Sequence, residues 1–114
     1  MNELGVLYEY IQKRYLQRVD NLELSCSLRI CVYEGFEIEI RYNMVFQIYI
    51  NNIFYYDVDI QDINDTIDEF FNGDLLFYEI KKGSKKIIKI SERKKFTPTR
   101  NISRVWSISK DLSK

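Results

Sequence analysis

Along the first twenty residues the apolar positions Leu4, Leu7, Tyr8, Ile11, Tyr15 and Val19 recur three and four apart, with Glu9, Gln12, Lys13, Gln17 and Arg18 between them. That period gathers them on one stripe of a helix of about four turns. Asn2 stands where a side chain can cap it, and Asp20-Asn21 where it can stop. From Leu22 the period falls to two. Leu22, Leu24, Cys26, Leu28, Ile30 and Val32 alternate with Glu23, Ser25, Ser27, Arg29, Cys31 and Tyr33, the pattern of a half-buried strand. Read as one strand, it directs Cys26 to the core and Cys31 to the surface, and their opposite parity forbids a disulfide between them.

Phe36, Ile38, Ile40 and Tyr42 then alternate with Glu37, Glu39 and Arg41. A three-residue loop Tyr33-Glu34-Gly35 pairs Val32 with Phe36, Ile30 with Ile38 and Leu28 with Ile40, and sets Gly35 where a left-handed residue is required. A two-residue loop would set outward Tyr33 against inward Phe36. Met44, Phe46, Ile48 and Ile50 continue the alternation, and Asn51-Asn52 offers a tight turn into a short strand over 53–56, because Asn tolerates positive φ. Helical spacing returns at Ile60, Ile63, Ile67 and Phe70/Phe71, with Asp59 placed as N-cap, Asp62 as third residue and Asn72-Gly73 as the stop. Residues 75–82 and 85–91 flank Gly83-Ser84, a two-residue hairpin turn. Phe96-Thr97-Pro98-Thr99 is a loop around the only proline, and 102–108 fits a last strand or a short helix equally. The order is α-β-β-β-β-α-β-β. It predicts one α+β domain over residues 1–114, with an N-terminal helix, a four-strand antiparallel meander, a second helix and a C-terminal β-hairpin.

Composition narrows the chemistry. A chain of 114 residues, 46% hydrophobic and 15% aromatic, can bury a single core without disulfides or metal. It contains neither Ala nor His, and its excess of Ile, Asn, Lys, Tyr and Phe fits AT-rich coding, so a low-GC bacterium, its phage or a mobile element is the expected source. Lack of His removes the usual acid–base side chain near neutral pH and the commonest metal ligand. Cys26 and Cys31, the only cysteines, have no zinc or CxxC spacing. No cofactor and no catalytic residue is expected. No apolar run approaches membrane-spanning length and charges interrupt the N-terminus early, so the expected compartment is the cytoplasm, with no membrane partner.

The net charge of zero conceals a split. Residues 1–80 carry 5 Lys/Arg against 15 Asp/Glu, and residues 81–114 carry 12 against 2. Each half therefore has ten charges of one sign in excess, which speaks of fields and partners more than of fold. The basic candidates for partner binding are Lys81, Lys82, Lys85 and Lys86 at the hairpin turn, followed by Lys89, Arg93, Lys94, Lys95 and Arg100. Lys82 faces Lys85 and Lys81 faces Lys86 if Gly83-Ser84 turns the chain, a like-charge opposition that weakens the tip. Such a ridge can contact phosphates or simply discourage edge pairing. The acidic candidates are Asp57, Asp59, Asp62, Asp65, Asp68 and Glu69, with Asp62, Asp65 and Glu69 on one helix face. They can imitate nucleic-acid phosphates for a basic partner, or form the polar side of an amphipathic helix. As a calcium loop the stretch fails, since Asp62 stands where Gly is needed. The two poles can also neutralise each other within one chain, or between copies in self-association.

Glu79-Ile80-Lys81, with Asp57 or Asp59 upstream, superficially resembles the acid and (D/E)xK arrangement of restriction-endonuclease-type nucleases. The resemblance implies carboxylates on Mg²⁺ and a lysine beside the attacking water. Glu39-Ile40-Arg41 is similar, with Arg for Lys, and neither has the Pro-Asp element. Tyr33, Tyr49, Tyr55 and Tyr56 fit half-buried sheet positions as well as an interface or a base-stacking surface. The expectation is a small non-catalytic interaction protein of inhibitor, immunity or anti-defence type, anti-CRISPR-like in kind. Its partner would be a protein, such as a nucleic-acid-binding protein or nucleoprotein complex. The alternatives are a nucleic-acid-binding accessory protein using the basic hairpin and, second, the Mg²⁺-dependent nuclease.

Overall fold

The computed structural model describes residues 2–108, with Phe54 described by its backbone alone. Residues 109–114, which carry Lys110, Asp111 and Lys114 of the basic half, lie outside the described residues. Helix α1 spans Glu3–Tyr15 and runs into a 3₁₀ turn at Leu16–Arg18. Five strands follow: β1 Asn21–Leu24, β2 Leu28–Tyr33, β3 Phe36–Asn43, β4 Val45–Ile50 and β5 Ile53–Val58. Helix α2 covers Ile63–Phe71, and β6 Leu75–Lys82, β7 Lys85–Glu92 and β8 Ile102–Ser107 complete the order, with a 3₁₀ turn at Arg93–Lys95. The strands form two antiparallel sheets, β1-β2-β3-β4-β5 and β7-β6-β8. This is the expected α+β order, and 102–107 is a strand rather than a helix.

The stretch 22–32 is not one strand. It folds back at residues 25–27 so that Leu22 pairs with Ile30 and Leu24 with Leu28, which makes the meander five-stranded. A three-residue turn leaves residues four apart facing the same way, so the two-residue period passes through it unbroken. Cys26 lies at the apex and is exposed, not core, while Cys31 is partly buried; both are free thiols. At the next turn Ile30 pairs with Ile38 and Leu28 with Ile40 as expected. A bulge between Cys31 and Tyr33 then brings Tyr33, not Val32, opposite Phe36. The turn is thus Glu34-Gly35, with Gly35 at φ 91°. The bulge frees the Tyr33 hydroxyl to donate to the Ser107 carbonyl of β8 at 2.7 Å, tying the two sheets together.

The inner face of the larger sheet is Leu28, Ile30, Val32, Phe36, Ile38, Ile40, Phe46, Ile48, Ile50 and Val58, all buried. Leu4, Leu7 and Ile11 of α1 and Ile63, Ile67, Phe70 and Phe71 of α2 belong to the same core. Each such side chain contributes about 1.5–3 kcal/mol on burial. Asn2 caps α1 as expected, accepting from the Gly5 N–H at 2.7 Å. Helix α2 starts later than its apolar spacing suggested. Residues 59–62 form a turn closed by the Asp62 N–H on the Asp59 carbonyl, Asp62 rather than Asp59 sits at the N-cap and makes no side-chain cap bond, and Ile60 is left 55% exposed. The stop at Asn72-Gly73 holds, with Gly73 at φ 84°.

The smaller sheet packs through Phe77 and Trp106, whose rings lie 5.2 and 5.9 Å from Phe36, and Phe77 also meets Phe70 at 5.3 Å. Lys82 pairs with Lys85 and Lys81 with Lys86, in the expected register.

The larger sheet has two unlike ends. One holds the Gly35 and Asn51-Asn52 turns, which Asn51 joins: its Nδ2 donates to the Gly35 carbonyl at 2.9 Å and its Oδ1 accepts from the Glu37 N–H at 2.8 Å. The other holds the 25–27 turn, the β3–β4 tip at Met44 and the exit of β5 toward α2. Arg104, paired with Glu79, reaches Gly35, since a Cβ there would stand 3.1 Å from its Nη2. The β6–β7 hairpin continues three residues beyond Glu79 to Lys82, about 10 Å at strand rise.

Candidate functional site

The lysine tip follows from strand geometry. Lys81, Lys82, Lys85 and Lys86 are exposed, two on each face of the hairpin, because directly opposed residues share a face. Among the described residues none of them, nor Lys89, takes part in an ion pair. The outer face of the smaller sheet carries Lys82, Lys85 and Lys89 beside the half-buried Ile80, Ile87 and Tyr78, and Phe96 packs on Tyr78 at 5.2 Å. The basic ridge is not continuous. Arg93, Lys94 and Lys95 form the 3₁₀ turn at the opposite end of β7, where Lys95 pairs with Glu92 at 3.5 Å and the Arg93 N–H donates to the Asp74 carbonyl at 2.7 Å. Arg93 and Lys94 line a cleft of about 510 Å³ with Glu69, Asn72, Asp74 and Leu75. That cleft is where the two signs meet. Arg100 lies exposed in the loop before β8.

The acidic residues also divide. Asp57 is exposed on β5 opposite Gln47, Asp59 and Asp62 lie exposed in the turn before α2, and Asp65 is exposed in its first turn. None of these, nor Glu69, takes part in an ion pair among the described residues. Asp68 instead faces inward, accepting from the Tyr10 hydroxyl at 2.7 Å and the Tyr15 hydroxyl at 2.5 Å. The Tyr15 bond holds its carboxyl below the usual carboxylate range, with Tyr10 adding to the effect against some desolvation. Reciprocally, burial first and the Asp68 bond second push the Tyr15 phenol up to about 12. Asp68 therefore joins α1 to α2, with Tyr15 stacked on Phe71 at 4.1 Å. Tyr10 and Tyr15 as hydroxyl donors were invisible as chemistry in the sequence. Tyr15 belongs to the apolar stripe of the helix and Tyr10 lies outside it, and their partner is 53 and 58 residues away.

The cations of the acidic body are mostly engaged locally. Arg29 pairs with Glu37 and Arg41 with Glu39, each at 3.0 Å, while Arg14 and Arg18 lie over the rings of Tyr10 and Phe71. Glu39 also accepts from Ser27 at 2.8 Å, so Glu39 and Arg41 are tied into a local polar network on the outer face of β3 while Ile40 points into the core. Glu79 is 7% exposed and accepts from the Ser103 hydroxyl at 2.8 Å, a bond that the bulge between Glu79 and Ile80 makes possible. Among the described residues no three Asp, Glu or Cys side chains converge to hold a metal ion. Tyr33, Tyr49, Tyr55 and Tyr56 are half-buried, and burial raises the phenol pKa of Tyr55 and, further, of Tyr56. Among the described residues no helix is long and apolar enough to cross a membrane. Comparison with protein-family models, with curated proteins and with solved structures finds no match to this chain.

Proposed function

We propose that this chain is a small non-catalytic interaction protein of the inhibitor, immunity or anti-defence kind, which binds a macromolecular partner, most simply a protein, through charged surfaces. The observation that carries this reading is the separation of its poles. The lysine tip lies on the hairpin whose neighbouring Arg104 reaches the Gly35 turn, the exposed acids Asp59, Asp62 and Asp65 stand at the start of α2, which β5 enters from the other end of the larger sheet, and no ion pair joins the two sets among the described residues. Poles that do not cancel each other keep their fields for a partner. The inhibitor character and a phage or mobile-element source rest on size and composition alone. The test is an affinity capture from a low-GC bacterial host at low and high salt, with Asp59→Lys, Asp62→Lys and Asp65→Lys combined in one variant and Lys81→Glu, Lys82→Glu, Lys85→Glu and Lys86→Glu in another. A salt-sensitive protein partner lost in one variant supports the reading. A partner retained in both variants defeats it.

A second reading, a nucleic-acid-binding accessory protein, is favoured by the unpaired Lys82, Lys85 and Lys89 around Tyr78 and Phe96 on one sheet face, since cations beside aromatic rings suit single strands. Fluorescence anisotropy with a 20-nucleotide single strand and a duplex decides it. Retention that steepens with falling salt and disappears in the lysine variant supports this reading, and absence of retention at low salt ends it.

A further inference from the structure

Three of the exposed large apolar side chains are Val6 in the first turn of α1, Ile60 before α2, and Met44 at the β3–β4 tip, on the end of the larger sheet from which β5 leaves toward α2. Val6 and Ile60 wall a groove of about 300 Å³ between the starts of α1 and α2, floored by Leu7, Phe46 and Ile63, with Glu3 on its rim. Met44 lies two residues from Phe46, at the tip joining β3 to β4, and is 86% exposed. Its φ is 65°, whereas the other positive-φ positions among the described residues are Asn or Gly, which adopt such angles readily. The chain therefore holds a large apolar side chain in water on a strained backbone, a combination that stability alone does not favour. Among the described residues the one charged residue lining the groove is the acid Glu3, the exposed acids Asp59, Asp62 and Asp65 stand next in the chain to its lining residues Ile60, Ile63 and Asn64, and Lys13 and Arg14 lie at the far end of α1.

We infer that this groove docks a cationic amphipathic segment of a partner protein. An apolar anchor enters between Val6 and Ile60, a neighbouring one rests on Met44, and flanking Lys or Arg side chains meet the acids. The lysine tip of a second copy would match the charge but brings no apolar anchor, since its outermost residues are Lys82, Gly83, Ser84 and Lys85. The inference rests on the reading that the partner is a protein, and it names the surface and the segment.

The probe is a synthetic 18-residue helical peptide with Leu on one face and Lys on the other, titrated beside its Leu/Glu counterpart by calorimetry. The expected result is micromolar, salt-sensitive binding of the Leu/Lys peptide, none of the Leu/Glu peptide, and about tenfold weaker binding in Val6→Asp or Ile60→Asp. Met44→Gly is expected to weaken binding several-fold while raising the thermal midpoint, a pair of changes that a purely structural residue would not give. Failure of the Leu/Lys peptide to bind overturns the inference, as does binding unchanged in Val6→Asp and Ile60→Asp proteins that circular dichroism shows to be folded. Sedimentation equilibrium showing low-salt self-association abolished by those substitutions would assign the groove to a second copy instead. If reversing Asp59, Asp62 and Asp65 abolishes capture of the native partner but Val6→Asp and Ile60→Asp do not, the charge-based reading stands and the groove is not its seat.

Discussion

The two charged ends are built differently. At the acidic end the charges sit on elements that also carry the core: α2 buries Ile63, Ile67, Phe70 and Phe71 on one side and presents Asp65 and Glu69 on the other, and its Asp68 anchors α1. At the basic end the charges sit on an exposed hairpin tip, where the four lysines oppose one another in pairs and take part in no ion pair among the described residues. Binding and stability are therefore entangled at one end and separable at the other.

The largest expected effect tests whether the hairpin end is energetically independent. Trp106 is fully buried at the seam with Phe36, and Trp106→Ala is expected to cost about 3–5 kcal/mol in a urea titration. Its indole N–H has no acceptor among the described residues, so Trp106→Phe loses no hydrogen bond and is expected to cost roughly 1–2 kcal/mol. Two separate unfolding transitions in the Ala variant would mean that the sheets fold apart, and would break the contrast between a welded end and a free one.

Next comes the division within the acidic helix. Asp68→Ala removes the acceptor of two hydroxyls and is expected to cost about 2 kcal/mol, against about 0.5 kcal/mol or less for the exposed Asp65→Ala. Equal losses would show that the helix acids act alike. The pH dependence has a definite sign. Because the folded Asp68 pKa lies below its unfolded value, its contribution is present above about pH 4 and is lost as pH falls through the folded pKa. Because the folded Tyr15 pKa is raised to about 12, its contribution is present below about pH 10 and fades as pH climbs toward 12. Thermal midpoints should show both limbs, and Asp68→Ala should flatten the acid one.

At the free end, Lys81→Glu with Lys85→Glu gives each opposed pair one charge of either sign, and is expected to raise stability by roughly 1 kcal/mol. A loss of stability would show that the lysines have structural partners. The smallest effect concerns the cysteines. Cys26→Ser, at an exposed turn, is expected to shift stability by less than about 0.5 kcal/mol. Cys26 should also react with a disulfide reagent at pH 8 faster than Cys31, whose thiol pKa burial pushes up.

Much of this architecture was legible in the residues because each register was overdetermined. Ile30 with Ile38, Leu28 with Ile40, the Asn51-Asn52 turn and the Lys81–Lys86 pairing each satisfied both turn chemistry and face parity. The 25–27 turn was hidden because it conserves that parity, and the onset of α2 because Ile60 kept the helical interval while lying outside the helix. The lysine tip and the exposed acids were readable as composition. Their separation was not, since it depends on which turn of the larger sheet the smaller sheet covers. Nor were Val6 and Ile60 legible as walls of one groove, because each alone reads as an ordinary apolar position.

The strictly sequential order of the larger sheet has a kinetic consequence. Every pair in it joins chain neighbours across a turn of at most three residues, so each closure loses little chain entropy. Strand β8 must return to β6 from some twenty residues away, past β7. The meander is therefore expected to assemble early, with the docking of β8 and the closing of the Trp106 seam as the late, slower event in refolding.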